Sequence, residues 1–145
     1  MRKLFYFITL YLFFGCSTKI DEQDIKQLNG YWEIEKVTFA DGVTKEFNVN
    51  PAIDYIELKG LEGFRKKVYP KFDGTFETTD DAEYFIIAKV DDKIEIRYKP
   101  SITLDTRMFS RAETLIQLSD SQFSVINSDT ITYTYKRFQP IIVTK

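Results

Sequence analysis

The chain has 145 residues, enough for one domain. Its charged residues make up 29% and nearly cancel, at a net −2, which argues against a nucleic-acid partner, because phosphate binding needs a basic excess. It has no His and a single Cys, which excludes Ser-His-Asp and Cys-His catalysis, the commonest metal ligand and a disulfide framework. Thirteen Phe and nine Tyr accompany one Trp, a composition that leans towards pleated, half-buried strands.

The chain opens on Arg2 and Lys3, followed by an apolar run from Leu4 to Phe14 broken only by Thr9. That run is shorter than the roughly 20 residues of a membrane-spanning helix and fits a signal-peptide core. It ends at Leu12-Phe13-Phe14-Gly15-Cys16, which resembles a bacterial lipoprotein signal. The resemblance implies a leader over residues 1–15 and acylation (palmitate among the chains) of Cys16 as the first mature residue. The expected partner is therefore a membrane, reached through the acylated Cys16. Each buried acyl CH₂ contributes about 0.8 kcal/mol, so two or more chains anchor stably. Ser17 is compatible with outer-membrane sorting. Lys19 followed by Asp21 and Glu22 is similar to the acidic surface-export signal of Bacteroidetes lipoproteins; the alternative is a solvated tether. The expected location is the outer membrane, on its periplasmic face or at the cell surface.

Residues 16–27 are expected to form the tether and a short helix. Asp21 to Leu28 has acidic residues at its start, where a helix dipole favours them, and Ile25 and Leu28 share a face that would cover one end of the domain. Asn29-Gly30 ends this helix. From Gly30 onward the pattern has period two. Trp32 and Ile34 share one face, Glu33 and Glu35 the other. Asp41-Gly42 marks a turn. Thr44 to Val49 and Ile53 to Leu58 read as one strand interrupted at Pro51, or as two. Gly60 and Gly63 punctuate the next connection. Phe64 to Tyr69 and Thr75 to Thr78 flank an Asp73-Gly74 hairpin, and Asp80-Asp81 is expected to turn the chain again.

Tyr84 to Val90 is apolar on both faces apart from Lys89, so it should be well buried, with Tyr84 and Ile86 assigned inward. After Asp91-Asp92, the residues Ile94, Ile96 and Tyr98 alternate with Lys93, Glu95, Arg97 and Lys99. Residues 101–110 are ambiguous, a lid or an extended hairpin. Arg111 to Leu118, Gln122 to Ile126 and Thr130 to Phe138 complete the strands, the last with Ile131, Tyr133, Tyr135 and Arg137 on one face. The tail beyond Pro140 would add an edge strand or fray. About eight or nine short strands joined by tight turns mean a sandwich or a barrel, and next-neighbour hairpins favour a meander.

Gly30-Tyr31-Trp32 on a first strand resembles the G-x-W signature of lipocalins. Ala112 to Leu118, followed by Thr132 to Arg137, is similar to the last strands of the lipocalin-like lipoproteins of Bacteroidetes. The resemblance implies an all-β fold, an antiparallel up-and-down eight-stranded barrel over residues 28–140. It also implies that Arg137 packs across Trp32 at the closed end.

For chemistry the sequence offers little. Asp80-Asp81 and Asp91-Asp92 read better as turn residues than as a metal site or a glycosidase pair. Glu113 falls opposite Ala112, Thr114, Ile116 and Leu118, and its solvent-facing reading is preferred over a cavity-facing one. Tyr84, Ile86, Ile94, Ile96, Tyr98, Tyr133 and Tyr135 are the candidate cavity residues, because tyrosine combines apolar area with one polar handle. The expected function is binding or carriage of a small hydrophobic ligand in the cell envelope. The alternative is a filled barrel that binds another envelope protein. No enzymatic activity, metal or cofactor is expected.

Overall fold

The computed structural model describes residues 20–100 and 108–140. Cys16, the leader, most of the ambiguous 101–110 segment and the end of the tail lie outside the described residues.

Nine strands follow one another in the described chain: β1 (Gly30–Thr38), β2 (Thr44–Glu46), β3 (Ile53–Lys59), β4 (Glu62–Pro70), β5 (Phe76–Val90), β6 (Lys93–Tyr98), β7 (Arg111–Leu118), β8 (Gln122–Asn127) and β9 (Thr132–Arg137). β3 pairs antiparallel with β1, the strands from β3 to β9 pair antiparallel in sequence order, and β9 returns to pair with β1. Eight strands thus close a barrel, which removes the open sheet edges that invite aggregation. The short β2 continues the β3 position along β1, pairing at Lys36–Thr38 while β3 pairs at Gly30–Trp32. The interruption expected at Pro51 therefore exists. Across it, Asn50 donates its side-chain amide to the Ile34 carbonyl at 2.8 Å, and the Phe47 N–H bonds the Glu35 carbonyl at 2.8 Å.

The expected N-terminal helix is instead a single 3-10 turn over Ile25–Leu28. Ile25 and Leu28 are nonetheless buried and join the core cluster. Two residues three apart suffice to plug a barrel end, and so short a segment gains little from further helical bonds.

Asp80-Asp81 does not turn the chain. Lys66 pairs with Ala82 and Val68 with Thr78, so Thr79, Asp80 and Asp81 all face the single Lys67 in a large bulge. The two strands expected on either side are one, β5. The bulge bends the β4–β5 hairpin until Phe76 stacks on Tyr31 of β1, rings 4.4 Å apart and 8° from parallel. Gly63 lies inside β4 rather than in the connection before it.

The core is the apolar half of the barrel interior. Trp32, Ile56, Leu58, Phe85, Ile87 and Phe123 are buried there with Ile94, Ile96, Leu115 and Val125. Trp32 meets the Phe123 ring edge-on at 4.8 Å, and Phe123 stacks on Tyr135 at 4.6 Å. This half of the interior is filled by side chains, one of the two outcomes open to an eight-stranded barrel.

Candidate functional site

The closed end is built around Trp32. Its indole N–H donates to the Leu28 carbonyl at 2.8 Å. Arg137 pairs with Trp32 across β1 and β9 and lays its guanidinium over the indole at 3.7 Å. The same guanidinium donates to the carbonyls of Asn29 at 2.5 Å, Gln27 at 2.8 Å and Asp120 at 2.8 Å. Gly30 has φ +117°, and a Cβ there would sit 2.8 Å from the Arg137 Nη1. Gly30, Trp32 and Arg137 are thus one contact set, and it seals the barrel rather than opening it.

The other end is a charged mouth. Asp54 on β3, Arg65 on β4, Tyr98 on β6, Glu113 on β7 and Tyr135 on β9 are all buried. Arg65 donates to Asp54 at 2.8 Å and to the Tyr135 hydroxyl at 2.8 Å, with the Tyr98 hydroxyl at 3.4 Å. Tyr98 in turn donates to Glu113 at 3.1 Å. The second Asp54 oxygen makes no hydrogen bond of good angular geometry, but the Lys67 ammonium lies 2.8 Å from it. Nearer solvent, Arg111 forms a two-bond pair with Glu83 at 2.6 and 2.9 Å and stacks over the Tyr98 ring at 3.7 Å.

The electrostatics follow from this pairing. Burial pushes the Asp54 carboxyl up, but Arg65 and then Lys67 outweigh it and hold the group below its usual range. Burial disfavours the Arg65 charge, yet Tyr135, Asp54 and Tyr98 keep its pKa well above the ordinary arginine value. Burial also pushes the Tyr98 phenol up to about 12. The network is therefore a paired, hydrogen-bonded ionic cluster at neutral pH.

Above it lies a cavity of about 430 Å³. Lys67, Arg111 and Glu113 give it charge, Tyr133 and Tyr135 give it ring surface, and Ser128 and Asp129 of the β8–β9 loop form its rim. Among the described residues no cluster of His, Cys, Asp or Glu has the arrangement of a metal site.

The candidate cavity residues divide accordingly. Tyr133 and Tyr135 line the mouth. Tyr98 lies beneath it, and Ile94 and Ile96 are packed in the filled core. Tyr84 and Ile86 face outward, and Tyr84 is 59% exposed. Pairing of Phe85 with Tyr98 and of Ile87 with Ile96 sets the opposite phase. Lys89 shares the face of Phe85 and Ile87 at the strand's exposed end, so strict alternation pulls the reading to the wrong phase.

Glu113 corrects the sequence reading most sharply. It is 9% exposed and points inward, while Ile116 is 50% exposed. A bulge at Ile116 lets Leu115 and Leu118, three residues apart, both reach the core. Strict alternation from Leu118 backward therefore puts the whole strand out of phase. Sequence reasoning missed Asp54, Arg65, Lys67 and Arg111 altogether. The available signal was that Asp54 falls, by alternation, on the same face as Ile56 and Leu58, while Glu57 and Lys59 fall on the other.

No protein-family model matches the chain, and no curated protein matches it. Among solved structures it is similar to a lipocalin-like protein from Bacteroides uniformis, at 15% identity and a TM-score of 0.47, covering 77% of this chain and 99% of that one. It is also similar to an uncharacterized protein from Bacteroides eggerthii, at 15% identity and a TM-score of 0.45 over the same shares of the two chains. Lobster apocrustacyanin A1 is similar at 10% identity and a TM-score of 0.40, over 81% of this chain and 64% of that one. The lipocalin-like fold is read from the chain's own closure: up-and-down order, β1 joined to β9, and Trp32 under Arg137 at the end where the chain enters.

Proposed function

We propose that the chain is a membrane-tethered binding protein of the cell envelope, anchored through an acylated Cys16, that holds one small molecule in the mouth of its barrel. The observation that carries this reading is the 430 Å³ cavity, above the roughly 300 Å³ at which small-molecule pockets begin. The apolar half of the interior is already filled, so the ligand occupies the charged half. An amphipathic compound suits it better than a purely hydrophobic one. Its apolar part would lie on the Tyr133 and Tyr135 rings, and its polar group would meet Lys67, Arg111 or Glu113.

The test is native mass spectrometry of the mature protein, released in mild detergent from its own membranes. One small molecule per chain is the expected result, and Lys67→Gln should weaken its retention. A bare mass in every preparation, with no shift on adding fatty acids, haem or isoprenoids, would sink the ligand reading. The same spectra report whether Cys16 carries acyl chains.

A further inference from the structure

The outer face of the barrel carries a second concave surface, separate from the mouth. The bent β4–β5 hairpin meets the loop at 48–50 and the segment at 138–140, and together they enclose a groove of about 510 Å³. Phe72, at the hairpin tip, is 102% exposed, and Val49 opposite is 86% exposed. Phe76 and Phe138 form the groove wall, with ring centroids 6.2 Å apart. Isolated apolar side chains on a surface are ordinary, but a rimmed cluster of them marks an interaction site. The charged groups at the groove are matched from within: Lys136 lies 3.5 Å from Glu33, and Glu77 lies 3.6 Å from Lys71. What the groove presents outward is mainly apolar, with neutral amides at Asn48, Asn50 and Gln139 and one carboxylate, Asp73, beside Phe72 at the tip.

We propose that this groove is the face on which the domain rests against the lipid bilayer, with Phe72 and Val49 entering the interfacial layer. The inference builds on the tether reading above. Its argument is chain length. Ile20 packs against the core cluster, and Cys16 precedes it by four residues, a reach of at most about 14 Å. The entering chain is clamped where Arg137 bonds the Gln27 carbonyl at 2.8 Å. The next residue is Phe138, which walls the groove and donates its N–H to the Tyr31 carbonyl at 2.9 Å. Acyl chains on Cys16 therefore hold a bilayer within about 14 Å of Ile20, and the chain from Ile20 runs on to the Gln27 clamp beside the groove wall. Phe and aliphatic side chains are the groups that bury at the headgroup boundary. A purely electrostatic contact would need a basic cluster near the surface, and the paired charges here supply none. A lipid surface fits a mainly apolar face that lacks a basic excess; in this arrangement the barrel mouth is left open to the aqueous side.

The test places a single environment-sensitive dye on the acylated protein, at Phe72→Cys or Val49→Cys on the groove and at Ser128→Cys on the mouth. The proteins are reconstituted in vesicles of phosphatidylethanolamine and phosphatidylglycerol. Groove labels should brighten severalfold and be quenched by doxyl-labelled lipid, while the mouth label should do neither. Groove labels that behave like the mouth label, on a chain whose mass shows acylated Cys16, overturn the proposal and leave the tether standing. A mass without acyl chains removes tether and proposal together. Groove labels already shielded before vesicles are added, in a species sedimenting as a dimer or complex, overturn it in favour of a protein partner.

Discussion

Both ends of the barrel hold an arginine against an aromatic ring, by different means. At the closed end Arg137 covers Trp32 at 3.7 Å and gives its donors to backbone carbonyls. Among the described residues no carboxylate forms an ion pair with it, although Asp120 favours its charge from farther off, so its worth is mainly packing plus hydrogen bonds to neutral acceptors. At the mouth Arg65 lies over Tyr135 at 4.9 Å and gives its donors to Asp54 and two phenols. Its charge is matched inside the protein. The difference teaches that one cation closes the fold while the other keeps a polar chamber from collapsing. Removing the first loosens a plug; removing the second leaves an acid buried.

Three experiments break or sharpen that contrast. The largest effect is expected from Arg65→Met, which leaves Asp54 buried with only Lys67 beside it. Loss of one member of a buried pair costs about 3–5 kcal/mol, read as a lower urea midpoint. Arg65→Met combined with Asp54→Leu should recover much of that loss. If the double variant is no better than the single one, the cluster is not held by charge matching.

Alkali probes the mouth without a mutation. Tyr98 is protonated in the folded state up to about 12, against an ordinary value of 10.0. Its contribution is complete below pH 10 and is lost as pH rises from there through 12, because only the unfolded chain releases its proton in that window. Two units correspond to about 3 kcal/mol. Tyr98→Phe should flatten this alkaline fall, as seen in thermal midpoints measured across the window; an unchanged slope would count against a buried phenol. Asp54 acts in the opposite direction. Its lowered value means stability present above pH 3.8 and lost as pH falls through the native pKa.

The smallest effect belongs to the closed end. Arg137→Met should cost about 1–3 kcal/mol, from one cation–ring contact and its carbonyl hydrogen bonds. The emission of Trp32, the only tryptophan, should shift to the red as water reaches the plug. A loss equal to that of Arg65→Met would erase the distinction drawn between the two ends.

The sequence by itself determined the β class and the meander, and its resemblance to lipocalins pointed to the closed-end set of Gly30, Trp32 and Arg137. The class and the meander rest on local signals, alternation and turn residues; the closed-end set rests on the G-x-W motif and a late Arg that resemble those of a known family. Even the pair at Asp80-Asp81 marked a real irregularity, although it proved to be a bulge within one strand. What only the tertiary structure decided is the phase of each strand wherever a bulge intervenes. Leu115 with Leu118 and Ile34 with Val37 are three apart, and each pair reaches the inside because an extra residue is extruded between them. The charged mouth was invisible for a related reason. Asp54, Arg65, Tyr98, Glu113 and Tyr135 come from five strands, and each alone reads as a solvent-facing or core residue. Their burial is tolerable only in one another's company, and that company exists only once β9 has closed on β1.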